Sequence, residues 1–223
     1  MAYQKLSTMF EVIIVDNSNE HENFKDVLSD SIIYVSPDAN LGFGRGCNFG
    51  VNFSSGDILV FVNPDILFIR DFFLLLDKYK ERILNGLVVG FNLLDEHRNP
   101  GYSYGSFPSL TLEIMELFLF HKLFPRMFSS YSLAQKIDSR EDAFIDVDYV
   151  CGALFAISRK QFSSIAGFDE RFFLYFEETE LMWRVRKSGG KIVLALDEVA
   201  IHIGSVTTKN ESDFKISNME IGR

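Results

Sequence analysis

Two short aliphatic runs, each closed by an aspartate, constrain the fold of this chain more than any other feature. Residues 12–15 (VIIV) end at Asp16, and residues 58–62 (ILVFV) end at Asn63-Pro64-Asp65. Neither run alternates polar with apolar, so both faces of each need cover, as in a strand layered between helices. Similar runs at 32–35 and 87–94 are separated by helix-like stretches. These are 22–30, a stretch from the glycine-rich loop at 40–48 to about residue 53, and one carrying Phe72, Phe73, Leu75, Leu76 and Tyr79. The alternation predicts an α/β fold with a mostly parallel central sheet and helices on both faces. Ligands of such sheets gather beyond the carboxyl ends of the strands, where Asp16 and Asp65 fall.

The second half reads differently. Residues 95–109 are loop-like, 110–128 are apolar but broken by charge and Pro125, and 129–145 are polar. Strands are expected within 146–157, a helix over 159–165, a turn at 167–170 and a helix over 177–187 ended by Gly189-Gly190. Strands over 191–196 and 199–203 follow. The expected organisation is one domain over 1–206, with 110–145 as a helical and loop insertion, and a polar tail over 207–223. The 110–128 stretch has two readings. One is an amphipathic helix in peripheral contact with a membrane; the other, which we favour, is a helix packed on its own core or on a second copy in a homodimer.

Charge narrows the partners. Twenty-two Lys and Arg against 31 Asp and Glu give −9, the wrong sign for a nucleic-acid partner. An anionic ligand would need recruited positive charge, and a divalent cation supplies it most simply. Cys47 and Cys151 form no C-x-x-C pair and read as packing residues, which suits a reducing cytosol. No leader or spanning run is apparent, so a cytoplasmic protein is expected.

Four groups could carry chemistry. Asp16 could accept hydrogen bonds from a ribose or base, or simply form an Asx-turn with the Asn-Ser-Asn that follows. Pro64 ends its strand and turns Asp65 out of the sheet, where a carboxylate with ligand phosphates suits Mg²⁺ or Mn²⁺. Glu177, Glu178 and Glu180 open a helix beside Phe172-Phe173-Leu174-Tyr175-Phe176. They suit the helix dipole, and the aromatic flank would raise a carboxyl pKa toward that of a general base. Spacing puts Glu177 and Glu180 on one face and Glu178 on another. His202 leaves the last strong strand, as a metal or phosphate ligand or as a structural histidine. Gly42, Gly44 and Gly46 are not a dinucleotide signature, although Arg45 could meet a phosphate.

In this order and spacing the pieces resemble the inverting glycosyltransferases of family 2, especially rhamnosyltransferase-like bacterial members. The resemblance rests on 14–18 (IVDNS), 40–50 (NLGFGRGCNFG), 62–65 (VNPD), Gly152-Ala153, 167–173 (GFDERFF), 175–181 (YFEETEL) and Ile201-His202. It implies a GT-A fold and transfer of a sugar from a nucleotide-diphosphate donor to a saccharide or lipid-linked acceptor, in surface-polysaccharide synthesis at the inner face of the membrane. It places Asp16, Arg45, Asn48 and Asn63 by the nucleotide. Asp65, as the last acid of a D-x-D motif, would hold Mg²⁺ or Mn²⁺ with help from His202. Glu178, where the family usually has Asp, would be the general base. Glu177, Trp183, Arg184 and Gly152 would shape the acceptor side. Against the family the chain is expected to lack a first strand and helix. That leaves a truncated or non-catalytic nucleotide-sugar-binding scaffold as the alternative.

Overall fold

The structure is a computed structural model that describes residues 10–18, 32–107, 136–137 and 144–204. The helix expected over 22–30, the 110–128 stretch, most of 129–145 and the 207–223 tail lie outside the described residues.

A parallel pair, β1 (Val12–Val15) and β2 (Ile32–Val35), leads into α1 (Phe43–Val51). Then come β3 (Ile58–Val62), β4 (Ile66–Phe68), α2 (Phe72–Leu84) and β5 (Leu87–Leu94). Short strands β6 (Tyr104–Gly105), β7 (Lys136–Ile137), β8 (Phe144–Asp146) and β9 (Tyr149–Val150) precede β10 (Leu154–Ser158). The chain continues through α3 (Arg159–Ser164), α4 (Glu177–Lys187) and β11 (Lys191–His202). The main sheet runs β3-β10-β5-β11-β8-β7, with β4 on the far end of β11. Among the described residues no helix is long and apolar enough to cross a membrane.

The central strands are apolar throughout because each feeds two cores. Phe155 and Ile157 of β10 join Phe61, Phe162, Phe168, Leu181, Met182 and Val185 on the α3/α4 face. Their neighbours Leu154 and Ala156 point the other way, to Phe72, Tyr79, Ile83, Phe91 and Val193 on the α2 face. Strands β5 and β11 divide in the same manner, Val88 and Ile192 to one core, Val89 and Val193 to the other. Burying each such side chain is worth about 1.5–3 kcal/mol. Asp71 caps α2, its Oδ1 accepting from the Leu74 N–H at 3.1 Å.

The α/β architecture with helices on both faces is as expected, but the sheet is mixed rather than mostly parallel. Among the described residues only β1–β2 and β5–β11 run parallel; β10 is antiparallel to both β3 and β5, and β8 and β4 are antiparallel to β11. A strand covered on both faces is apolar whichever way it runs, so composition cannot report its direction. Strand β11 is also continuous where two strands were expected. The polar Asp197-Glu198 step sits at register shifts between Ala195 and Ala200 and interrupts the pattern without ending the strand. Beyond it, Ala200–His202 pairs with β4, His202 opposite Ile66.

Candidate active site

The β3–β4 turn presents Asp65. The Asn63 N–H donates to Ala153 O (2.9 Å), the Ile66 N–H to Asn63 O (3.2 Å), and the Ile203 N–H to Asp65 O (3.1 Å). Asn63 thus builds the turn through its backbone, and β10 and β11 clamp it from both sides. His202 Nε2 lies 3.3 Å from Asp65 Oδ1. That oxygen is buried and accepts no hydrogen bond, a costly arrangement unless a ligand completes it. One carboxylate and one imidazole suit Mn²⁺ or Mg²⁺, which take few protein ligands and complete their shell with water and phosphate oxygens. Among the described residues no cluster of three or more metal-ligating side chains occurs, so the substrate would have to supply the rest.

The acidic helix start is built on strained backbone. Tyr175 (φ 68°) and Phe176 (φ 69°) both sit in the left-handed region, and Phe176 caps α4 without a side-chain bond. Consecutive non-glycine residues there cost on the order of 1–3 kcal/mol each and cluster at functional sites. The aromatic run in the sequence gives no sign of it.

At about 100° per residue the helix sends the adjacent carboxylates to different neighbours. Glu177 is buried against α1; a Cβ at Gly44 would lie 3.4 Å from its Cβ. Its Oε2 has no hydrogen-bond partner, and burial, reinforced by Glu178, pushes its pKa up to about 8. Glu178 lies against Gly152, where an added Cβ would meet its Cβ at 3.5 Å and its Cγ at 3.6 Å. Burial raises its pKa too, opposed by the Glu178 and Thr179 N–H groups. Next to Gly152, burial lifts the Cys151 thiol to about 11, the Ala153 amide opposes it, and the Glu178 and Asp65 carboxylates add to it. Gly152, against Glu178, is next in the chain to Ala153, whose carbonyl anchors the Asp65 turn. Gly152 packs against Glu178, whereas Glu177 faces the α1 interface.

Glu177 gives a stability prediction. Its folded pKa exceeds its unfolded one, so the folded state keeps a proton that the unfolded state releases. Stability is then full below about pH 4.5 and falls as pH rises toward 8. Glu177→Gln should flatten that slope, removing a loss on the order of 3 kcal/mol by pH 7. Urea denaturation at pH 5, 7 and 8.5 reads it directly; equal slopes in variant and wild type refute it.

The residues expected at the nucleotide divide. Asp16 forms the Asx-turn, its Oδ1 accepting from the Ser18 N–H at 2.8 Å, while the Tyr34 hydroxyl donates to its Oδ2. It stands at the carboxyl end of β1, where a ribose could still approach. Arg45 is exposed and 3.7 Å from Glu170 Oε2. Asn48 clamps the 167–168 turn instead of facing a ligand. Its Nδ2 donates to Phe168 O and its Oδ1 accepts from the Phe168 N–H, both at 2.9 Å.

The glycines of this region belong to α1 rather than to a loop before it. Gly44, Gly46 and Gly50 are buried within the helix, facing Phe168, Asn17 and Val15. Asn17, which the motif reading passed over, donates through Nδ2 to Gly42 O at 3.0 Å and ties β1 to the helix start. Gly42 (φ 76°) is irreplaceable in place, since a Cβ there would lie 2.0 Å from Phe173 O.

Trp183 and Arg184 do not join the acceptor side. At about 100° per residue Trp183 lies some 140° around α4 from Glu178, exposed beneath Lys187 Nζ at 5.1 Å from its ring centre. Arg184 is engaged by Glu180 at 2.7 and 2.6 Å and by the Ile165 carbonyl.

The chain is similar to known proteins in sequence and in fold. The model of the family described as glycosyl transferase family 2 matches residues 4–160. The low-salt glycan biosynthesis hexosyltransferase Agl10 of Haloferax volcanii is 27% identical over 219 residues. The match covers 96% of this chain and 66% of the relative, so the chain spans just under two thirds of that protein's length. The crystal structure of GalNAc-T7 with UDP, GalNAc and Mn²⁺ superposes with a TM-score of 0.61 at 12% identity, over 88% of this chain and 38% of that one.

Proposed function

The chain belongs to glycosyl transferase family 2 and has a GT-A fold, and on that premise we propose that it transfers a hexosyl unit, rhamnosyl among the candidates, from a nucleotide-diphosphate sugar to a hydroxyl of a saccharide or lipid-linked acceptor during surface-glycan assembly. The observation that carries the reading is the buried Asp65 Oδ1, which accepts no hydrogen bond and lies 3.3 Å from His202 Nε2, on a turn anchored by the Ala153 carbonyl next to the Gly152 that packs against Glu178. The Agl10 relative, itself from Haloferax volcanii, supports glycan biosynthesis as the setting.

Asp65 and His202 would hold Mn²⁺ or Mg²⁺ against the donor diphosphate. A bound divalent cation there neutralises charge on the departing nucleotide. Asp16 would meet the nucleoside from β1, with Asn63 and Arg45 approaching the donor from β3 and α1. Glu178 would take the proton from the acceptor hydroxyl as that oxygen attacks the anomeric carbon from the face opposite the leaving group, inverting configuration. Its raised pKa favours proton uptake from an alcohol, and the Glu178 and Thr179 amides oppose that rise.

The test is nucleotide release from UDP-, GDP- and dTDP-hexoses with Mn²⁺, followed with and without added sugar acceptors. Turnover of at least one donor, lost on chelation, is expected. No turnover of any donor together with tight donor binding would favour a sugar-nucleotide-binding scaffold.

A further inference from the structure

The loop after β5 brings a second aromatic feature to Glu178 that the catalytic reading leaves unused. Tyr102 is 59% exposed, yet its neighbours are pinned. Ser103 is buried and its Oγ accepts from the Leu93 N–H at 2.9 Å, while its carbonyl accepts from the Cys151 N–H at 2.9 Å. Next in the chain, β6 pairs with β9, Gly105 opposite Tyr149. Tyr102 therefore stands one residue from Ser103, the backbone hydrogen-bond partner of Cys151, and Gly152 beyond it packs against Glu178.

The Tyr102 and Tyr149 hydroxyls are 2.6 Å apart. Tyr149 is fixed by its surroundings: its ring lies 6.1 Å from that of Phe107, and a Cβ at Gly105 would fall 2.3 Å from its hydroxyl oxygen. In a hydroxyl pair one O–H donates and the other accepts, leaving one donor and several lone pairs for a third group. Burial and the Glu178 carboxylate both push the two phenols above their ordinary range, so both stay protonated donors across the working pH range. The result is a preorganised, half-open aromatic face with a polar tip. Such a face suits a pyranose, which has an apolar C–H face and a rim of hydroxyls, and fixing the ring beforehand lowers the ordering cost of binding.

We infer that Tyr102, held in place by Tyr149, is the specificity-determining contact of an acceptor-sugar subsite beside Glu178, its ring under the sugar and its hydroxyl bonded to one of the sugar's own. The acceptor role rests on the transfer reading above; the sugar contact does not.

Saturation-transfer NMR with methyl hexopyranosides tests it on the whole chain. Wild type should transfer saturation to the ring protons of at least one methyl hexoside. Tyr102→Ala should weaken that binding by about tenfold or more, and Tyr102→Phe and Tyr149→Phe by roughly three- to tenfold, the usual range for one hydrogen bond. Phe53→Ala, which removes an exposed aromatic at the end of α1, should leave it unchanged. Circular dichroism melts confirm that each variant is folded. No saturation transfer in wild type, or equal transfer in Tyr102→Ala, overturns the inference. Donor turnover is scored separately. Turnover with indifferent Tyr102 variants removes the subsite and keeps the enzyme, and sugar binding without turnover of any donor does the reverse.

Discussion

Asp65→Asn is expected to lower kcat/KM by roughly 10³-fold or more while leaving the fold intact. The size follows from what the carboxylate faces. Its Oδ1 is buried without a hydrogen bond, 3.3 Å from His202 Nε2, and has no other ion pair among the described residues. A divalent cation at a developing phosphate charge is worth several kcal/mol of barrier, and each 1.36 kcal/mol is tenfold. The amide keeps the shape and removes the charge, so the cation and the diphosphate lose their anchor together. The stability effect should be small, because the turn is held by the Asn63, Asp65 and Ile203 backbone groups rather than by this side chain. His202→Gln should cost less, about 10- to 100-fold, since one imidazole is lost and the carboxylate remains. Calorimetric titration of Mn²⁺ with nucleoside diphosphate, run beside steady-state rates, separates loss of metal from loss of chemistry. Metal-dependent turnover at wild-type rate in Asp65→Asn would remove Asp65 from the site.

Much of this site was legible because it is punctuation. Asp16, Asn63-Pro64-Asp65 and His202 end strands, and strand ends are marked in sequence by the change from β-branched to polar residues. The same holds for the acidic start of α4, which agrees with the helix dipole. What failed to show is what depends on packing across the chain. Asn48 looked like a ligand for a nucleotide because it follows the glycines and Arg45. Only the fold brings Phe168, distant in sequence, to both ends of its amide. Gly44 and Gly46 looked like a loop because glycine disfavours helices; here the absence of a Cβ is what lets α1 approach Phe168 and Asn17. Trp183 and Arg184 sit within one α4 with Glu178, and the period of the helix turns them away. The left-handed pair at Tyr175-Phe176 breaks a local rule outright, and such violations gather where function, not propensity, sets the backbone. Strand direction was illegible for the reason given by the two cores.

Glu178→Gln should reduce kcat by about 10²- to 10⁴-fold with donor KM within a factor of about two, the range for a lost general base. The contrast with Glu177 makes the assignment testable. The two carboxylates are adjacent in sequence, and both have raised pKa values, so a pH profile of the wild type alone cannot name the base. Their surroundings differ. Glu178 looks onto Gly152 and the Cys151 thiol that also feels Asp65, whereas Glu177 is enclosed by α1 and stays protonated up to about pH 8. A base must be ionised to act, so the rate should climb with pH through the Glu178 titration, above the ordinary carboxylate range, and then level. Glu177→Gln should keep that rising limb and alter the stability slope. Glu178→Gln should abolish the limb, and because Glu178 also has a raised pKa its removal should flatten part of the stability slope as well. Glu178→Asp should retain the limb but turn over more slowly, because one methylene less draws the carboxylate back by about 1.5 Å from a hydroxyl it must reach to within about 3 Å. If the rising limb disappears in Glu177→Gln instead, the buried carboxylate is the base, and α1 must move away during turnover for an acceptor to reach it.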